Sequence, residues 1–184
     1  TTGLRAGYHD AIQVAILPLN AELKPSGIDP FNLIFKPDVP KNISKRALEI
    51  NKITLKELST ALAPESAWFT FEHWFEKNVQ GNGFKKILPI GQNVQFDMNM
   101  IKEWAGWDEV RDHDYNYSDE FFEWKDMRDT QIAAKYLNDV AWFHHDPFPF
   151  QKVNLGYIAT QFNIDKSGAH DALADCVMTA KIYR

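Results

Sequence analysis

The stretch that most constrains this chain runs from Lys86 to Asp97. Lys86-Ile87-Leu88-Pro89-Ile90 is short and apolar and predicts a buried strand. Gly91-Gln92-Asn93 then turns the chain into a helix starting near Val94 and carrying Phe96, Asp97, Met100 and Ile101. A strand that passes straight into a helix is the repeating unit of layered α/β structure. Open α/β sheets also place ligands beyond the carboxyl ends of their strands. Asp97, close to a helix start, is favoured by the helix dipole and is expected to stay ionised and open to a cation. Taken alone, Asp97 reads as an ordinary first-turn acid, and Asn93 equally as an ordinary helix cap.

The remaining chain supplies the rest of such a fold. Residues 11–19 are apolar and partly β-branched, a mostly buried strand. Pro25, Gly27 and Pro30 mark a turn, and Phe31 to Phe35 alternates as a second strand stopped by Pro37. Ser44 caps a helix ending near Asn51. Thr54-Leu55-Lys56-Glu57 is a capping box for another, with Leu55, Leu58 and Leu62 facing inward. Pro64 opens a longer helix whose stripe of Trp68, Phe71, Trp74 and Phe75 reads as core. Gln80 to Gly83 is a break. Asp129 caps a helix over 130–143, His144 to Phe150 is a proline-punctuated loop, and Asn154 caps a helix through Leu155, Ile158, Ala159 and Phe162. In the last helix Leu173, Cys176, Val177 and Ala180 give a buried side. The order predicts an α/β sheet with an antiparallel first hairpin, covered by helices, in one domain over 1–184.

Net charge is −5, which first argues against a nucleic-acid partner, but the charge is uneven. Residues 103–129 hold ten acids against three bases, whereas 24–56 hold seven bases against three acids. A mildly basic side can still meet a phosphate backbone. The acidic, Trp- and Tyr-rich part, 103–128, is expected to be an insertion with one or two short helices forming a solvated cap. The single Cys176 excludes an internal disulfide framework and fits a reducing, cytoplasmic setting. No apolar run is long enough for a membrane span, so no membrane partner is expected.

Two further stretches carry chemistry. Gly168-Ala169-His170 precedes the last helix, and Asp175 lies five residues after His170. Five residues turn a helix by about 500°, so the pair meets only if His170 stands on the loop and swings back over the helix end. Such an imidazole beside a carboxylate suits general-base work next to a metal, although a solvated helix start looks the same. Thr1-Thr2-Gly3-Leu4 offers hydroxyls and backbone N–H groups of the kind that hold a phosphate or a terminal hydroxyl.

Taken together and in order, these stretches resemble the DEDDh group of 3′–5′ exonucleases, ribonuclease-H-like proteins that include proofreading subunits and ribonuclease T. Thr1-Thr2-Gly3-Leu4 is similar to the tail of that group's first motif, Asp-x-Glu-Thr-x-Gly-Leu. Asn93-Val94-Gln95-Phe96-Asp97 resembles the second motif, and His170 with Asp175 the third. Softer likenesses are Ile12 to Ala15, Asp129-Thr130, and Leu155 to Phe162. The resemblance implies a ribonuclease-H-like mixed sheet flanked by helices. It also implies hydrolysis of phosphodiester bonds from a 3′ end, with release of nucleoside monophosphates.

The implied cofactors are two divalent ions, Mg²⁺ or Mn²⁺, held by oxygen ligands. The implied metal ligands are Asp97 and Asp175, with His170 taking a proton from the attacking water. Thr1, Thr2, Gly3 and Leu4, with Asn93 and Phe96, would line the pocket for the terminal nucleotide. The implied substrate is a single-stranded 3′ end of DNA or RNA, proofreading being one setting. A polymerase or a second copy of the chain is the implied protein partner.

One departure matters. The Asp and Glu of the first motif, and the central strand carrying them, would precede Thr1. Asp10 and Glu22 lie on the wrong side of the turn to replace them. The reading is therefore of a chain cut at its start, poor in metal binding as it stands and active at full length. The rival is a catalytically inactive module of the same fold that binds nucleic acid or a polymerase. His144-His145-Asp146 and Asp112-His113-Asp114 read as solvated loop and acidic surface. Lys41, Lys45, Arg46 and Lys52 are placed either against a nucleic-acid backbone or on an ordinary wet helix face.

Overall fold

The fold was analysed in a computed structural model of the chain, which describes residues 1–106 and 117–184. It is mixed α/β, with small sheets and seven helices among the described residues. Strands β1 (Gln13–Ile16) and β2 (Phe31–Ile34) pair antiparallel, with Gln13 opposite Ile34 and Ile16 opposite Phe31. This is the expected first hairpin, with shorter strands than the apolar runs suggested. Ala11 and Ile12 are buried in packing before β1 begins, and Phe35 makes a parallel bridge to Leu62 after β2 ends.

Strand β3 is only Ile90–Gly91, and it pairs parallel with β4, Arg128–Asp129. The apolar run from Lys86 contributes one isolated bridge, Ile87 to Phe122. Strand β4 was not foreseen, because Arg128-Asp129 has no apolar pattern of its own. Among the described residues β1–β2 and β3–β4 stay two separate pairs, in place of the single sheet expected.

Local signals set the helix starts. Ser44 accepts from the N–H of Ala47 to cap α1 (Lys45–Asn51), and both halves of the Thr54–Glu57 capping box form on α2 (Leu55–Thr60). Helix α3 (Pro64–Asn78) starts with proline in its first turn. It drives Trp68, Phe71 and Phe75 into the main core, where Trp68 meets Trp104 edge-on at 4.9 Å and Phe71 stacks on Phe122 at 5.7 Å. Helix α4 (Val94–Ala105) adds Met98, Met100, Ile101 and Trp104. On α2 only Leu58 faces inward. Leu55 and Leu62 are exposed, since a six-residue helix offers one buried turn.

The acidic segment also departs from expectation. Residues 103–105 belong to α4, and 107–116, with Asp112-His113-Asp114, lie outside the described residues. Residues 117–128 are part of the core: Phe122 is buried, and Tyr117, Phe121, Trp124 and Met127 pack against the main cluster. They form two 3-10 turns, Tyr117–Glu120 and Trp124–Asp126.

Helices α5 (Thr130–Phe143), α6 (Leu155–Gln161) and α7 (Ala172–Tyr183) complete the layer. Ala134, Phe150 and Ile158 form a small separate core. Helix α7 packs on β1, β3, α5 and α6, so it spans both strand pairs. Its most buried residues are Met178, Thr179 and Ala180, while Leu173, Cys176 and Val177 are only half-buried. No helix among the described residues is long and apolar enough to cross a membrane.

Candidate active site

Two helix starts and the first turn of the chain converge on one place. Asp97 stands in the first turn of α4, and Asp175 in the first turn of α7. The charge of Asp175 reaches Asp97: Asp175 and Asp129 both push the Asp97 carboxyl upward while the amino group of Thr1 pulls it down. The largest influence is the protein crowded around Asp97, and the result is a carboxyl raised to about 7. Its side chain stays open to water on one side, which screens part of that push. The dipole argument alone expected an ionised Asp97. Burial by the surrounding protein, with the like charges of Asp129 and Asp175 adding to it, outweighs the dipole and makes this acid costly to ionise without a cation.

The loop that presents Asp97 is held by a residue far away in sequence. Asn93 adopts a left-handed conformation (φ 61°), and its side chain caps nothing. Asp129 takes over: its carboxylate accepts the N–H of Asn93 at 3.0 Å and of Val94 at 3.0 Å. The same carboxylate caps α5 by accepting from Gln131 at 2.7 Å and Ile132 at 3.3 Å. Thr130 donates to the carbonyl of Gly91, and Gln92 reaches the carbonyl of Val153 at 2.6 Å. Gly91 is required here, since a Cβ would stand 2.7 Å from that of Val94. Phe96 is half-buried against the main core.

His170 occupies the loop before α7, as the spacing demanded, with a left-handed φ of 75° that a non-glycine residue seldom adopts. Its backbone N–H donates to Asp175 Oδ1 at 3.2 Å, which lowers the Asp175 carboxyl, while burial, the larger effect, raises it. The imidazole is exposed. Asp171 caps α7, and Gln13 of β1 donates to its Oδ2 at 3.1 Å, so the loop is fixed to the first hairpin. Cys176 is bonded to the carbonyl of Ala15. Its thiol is pushed up to about 12, by burial first and then by Asp97 and Asp175, which leaves it unreactive.

At the first turn, Thr1 Oγ1 donates to the carbonyl of Gly3 at 2.6 Å, and Asn51 donates to the carbonyl of Thr1 at 2.8 Å. Burial holds the Thr1 amino group below its ordinary value. Thr2 is 0% exposed. Its N–H donates to the carbonyl of Asp10, its hydroxyl accepts the N–H of Asp10 at 2.8 Å, and its carbonyl accepts from Ser44. Thr2 is thus a buttress of the turn. Gly3 leaves room for His9, whose ring atoms would lie 2.3 Å from an added Cβ. Leu4 projects outward, 85% exposed. Asp10 accepts from the N–H of Val39, and Asp38 and His9 are the charges that act on it.

Asp97 and Asp175 give hard oxygen donors of the kind a divalent cation takes, and a cation would relieve their repulsion. Among the described residues no group of three or more His, Cys, Asp or Glu is placed to hold a metal ion. The carboxylates present therefore fit one part of a metal site and leave its other ligands to be supplied. What sequence reasoning missed is Asp129, whose helix-cap signal was visible but whose second role depends on β3 lying beside β4.

A family model described as Exonuclease, of the RNase T type, matches residues 1–183, so the chain belongs to that DEDD exonuclease family. No curated protein matches it by sequence. Among solved structures it is similar to the crystal structure of cell-death related nuclease 4, with a TM-score of 0.62 and 14% identity. The match covers 96% of this chain and 60% of that one, a likeness of fold, ribonuclease-H-like in kind.

Proposed function

We propose that residues 1–184 form a metal-dependent 3′–5′ exonuclease domain that releases nucleoside monophosphates from single-stranded 3′ ends. The observation that carries this reading is the placing of Asp97 in the first turn of α4 and Asp175 in the first turn of α7, with the charge of Asp175 acting on Asp97. Asp97 and Asp175 would hold divalent ions, Mg²⁺ or Mn²⁺, which supply an activated water and charge neutralisation at the leaving oxygen.

The remaining ligands would come from an Asp-x-Glu strand ahead of Thr1. One feature supports that strand: among the described residues β1 and β3 belong to separate pairs bridged by α7. Asp-x-Glu encoded directly upstream of Thr1 is expected, and its absence from the gene would leave the non-catalytic binding module as the better reading.

The chain's own residues do the following. Leu4, exposed on the first turn, would pack on the terminal base. Thr1 and Gly3 present the turn that Thr2 and Asn51 hold in place. Asn93 and Phe96 line the far side. His170, on its strained loop, accepts the proton of the attacking water, and its backbone keeps Asp175 aimed. Lys41, Lys45, Arg46 and Lys52 are exposed on or beside α1, the element bonded to Thr1 and Thr2, and would track the backbone of the strand. A cytoplasmic setting goes with this reading.

The test is product analysis. Single-stranded DNA and RNA incubated with the full-length protein and Mg²⁺ should yield nucleoside monophosphates, resolved by liquid chromatography. Release of oligonucleotide fragments alone would contradict the exonuclease reading.

A further inference from the structure

The imidazole of His170 makes no hydrogen bond among the described residues; only the backbone N–H of this residue does. A proton-accepting histidine is normally oriented by a third group. Here its place is set by the loop alone. That loop has a costly backbone, with Gly168 (φ 89°) and His170 (φ 75°) both left-handed within three residues. Its own bonds are local. The N–H of Asp171 donates to the carbonyl of Gly168 at 3.0 Å, and that of His170 to Asp175. Among the described residues one hydrogen bond ties residues 165–171 to the fold beyond α7. It runs from Gln13 Nε2 on β1 to Asp171 Oδ2 at 3.1 Å.

An amide suits position 13 for a definite reason. Its NH₂ group carries two hydrogens. One meets Asp171, and the other meets Asn32 Oδ1 on β2 at 3.2 Å. Asp171 in turn divides its carboxylate. Oδ1 caps α7, accepting from Leu173 at 3.1 Å and Ala174 at 3.0 Å, while Oδ2 takes the bond from β1. A relay therefore runs from β2 through β1 to the residue that follows His170. Further along α7 the Cys176 thiol meets the carbonyl of Ala15, so helix and strand are held in register at two points.

We infer that Gln13 is a positioning residue for His170. It touches no reacting group, and through Asp171 it holds the loop in the arrangement that aims the imidazole. The inference rests on the exonuclease reading above, in which His170 takes the proton of the attacking water. A loop released from β1 would relax its left-handed residues and carry the imidazole off line. A displacement of about 1 Å can cost about 100-fold in rate. Gln13 is not among the residues proposed to line the nucleotide pocket, so substrate affinity should be kept.

The test is steady-state hydrolysis of a single-stranded oligonucleotide by the full-length protein with Mg²⁺. Gln13→Ala should lower kcat roughly 10–100-fold and leave KM within about twofold. Gln13→Glu should be at least as slow, because it sets one carboxylate against another. The decisive variant exchanges donor and acceptor. Gln13→Glu with Asp171→Asn re-forms a hydrogen bond between the two positions, and asparagine caps a helix as well as aspartate does. Asn32 can turn its amide to donate to the new carboxylate. This pair should recover kcat to within roughly threefold of wild type. Amide hydrogen exchange at residues 168–174 should follow the same order, faster in Gln13→Ala and slowed again in the exchanged pair.

A strand or helix merely weakened by each change would add the two losses, so the exchange separates positioning from general stability and applies even if Gln13→Ala folds poorly. A kcat that survives Gln13→Ala, a rise in KM in place of the fall in kcat, or additive losses in the exchanged pair overturns the inference and leaves the exonuclease reading intact. A wild type that hydrolyses nothing overturns both.

Discussion

Asp129 accepts the backbone N–H of Asn93 at 3.0 Å while capping its own helix, so one carboxylate fixes the start of α4 and of α5. The turn that presents Asp97 is thereby held by a residue 32 positions beyond it in the chain. Helix starts leave N–H groups without intrahelical partners, and here a single acid serves two of them.

Asp129→Ala should therefore cost more than an ordinary cap. One cap is worth about 1 kcal/mol, and losing bonds to both helices should cost roughly 2–3 kcal/mol. In a domain of this size that lowers Tm by about 4–10 °C, read by calorimetry. Activity should fall further than stability, because the loop under Asp97 is released. A Tm within a degree of wild type would show that the double cap is not holding the loop.

The first turn can be tested by a pair of substitutions. Gly3→Ala places a methyl where the His9 ring stands, at 2.3 Å, and should cost about 1–3 kcal/mol. Gly3→Ala combined with His9→Ala should recover most of that loss, since the clash is then gone. Additive losses in the double variant, measured by urea unfolding, would contradict the contact.

Asp97 predicts a pH dependence with a definite sign. Its carboxyl is raised to about 7 in the fold, and an unfolded aspartate titrates near 3.9. A raised acid favours the folded state when protonated, so this stabilisation is complete below the unfolded value and is lost as pH rises through about 7. Without divalent metal, wild type should gain stability between pH 8 and pH 6. Asp97→Asn, uncharged throughout, should be more stable than wild type at pH 8 and should lack that part of the rise. Water at the open side of Asp97 trims the effect, and a difference of roughly 2–4 °C in Tm is expected. A variant less stable than wild type at pH 8 would contradict a carboxyl raised by its surroundings.

Much of this fold was legible where the signal was local. Ser44, Thr54 with Glu57, Asp129 and Asn154 each mark a helix start that the structure places within a residue. The position of His170 off the helix followed from rotation alone. Pairing was harder to read. Arg128-Asp129 forms a strand because β3 lies beside it, and Phe121 and Phe122 join the core despite an acidic neighbourhood. The upward push on the Asp97 carboxyl was not legible for the same reason. The helix dipole is written in nearby residues, whereas the protein that buries Asp97, and with it Asp129 and Asp175, gathers there only once the chain has folded. The second duty of Asp129 likewise belongs to the assembled structure.

The most direct measurement is the pattern of cleavage on a 5′-labelled single-stranded oligonucleotide, DNA and RNA side by side, with full-length protein and Mg²⁺. The account predicts a ladder that shortens one nucleotide at a time. Asp97→Asn and Asp175→Asn should abolish it, and His170→Ala should slow it by roughly 10²–10⁴-fold with oligonucleotide affinity nearly unchanged. Cleavage confined to internal positions, or near wild-type turnover in His170→Ala, would contradict the account.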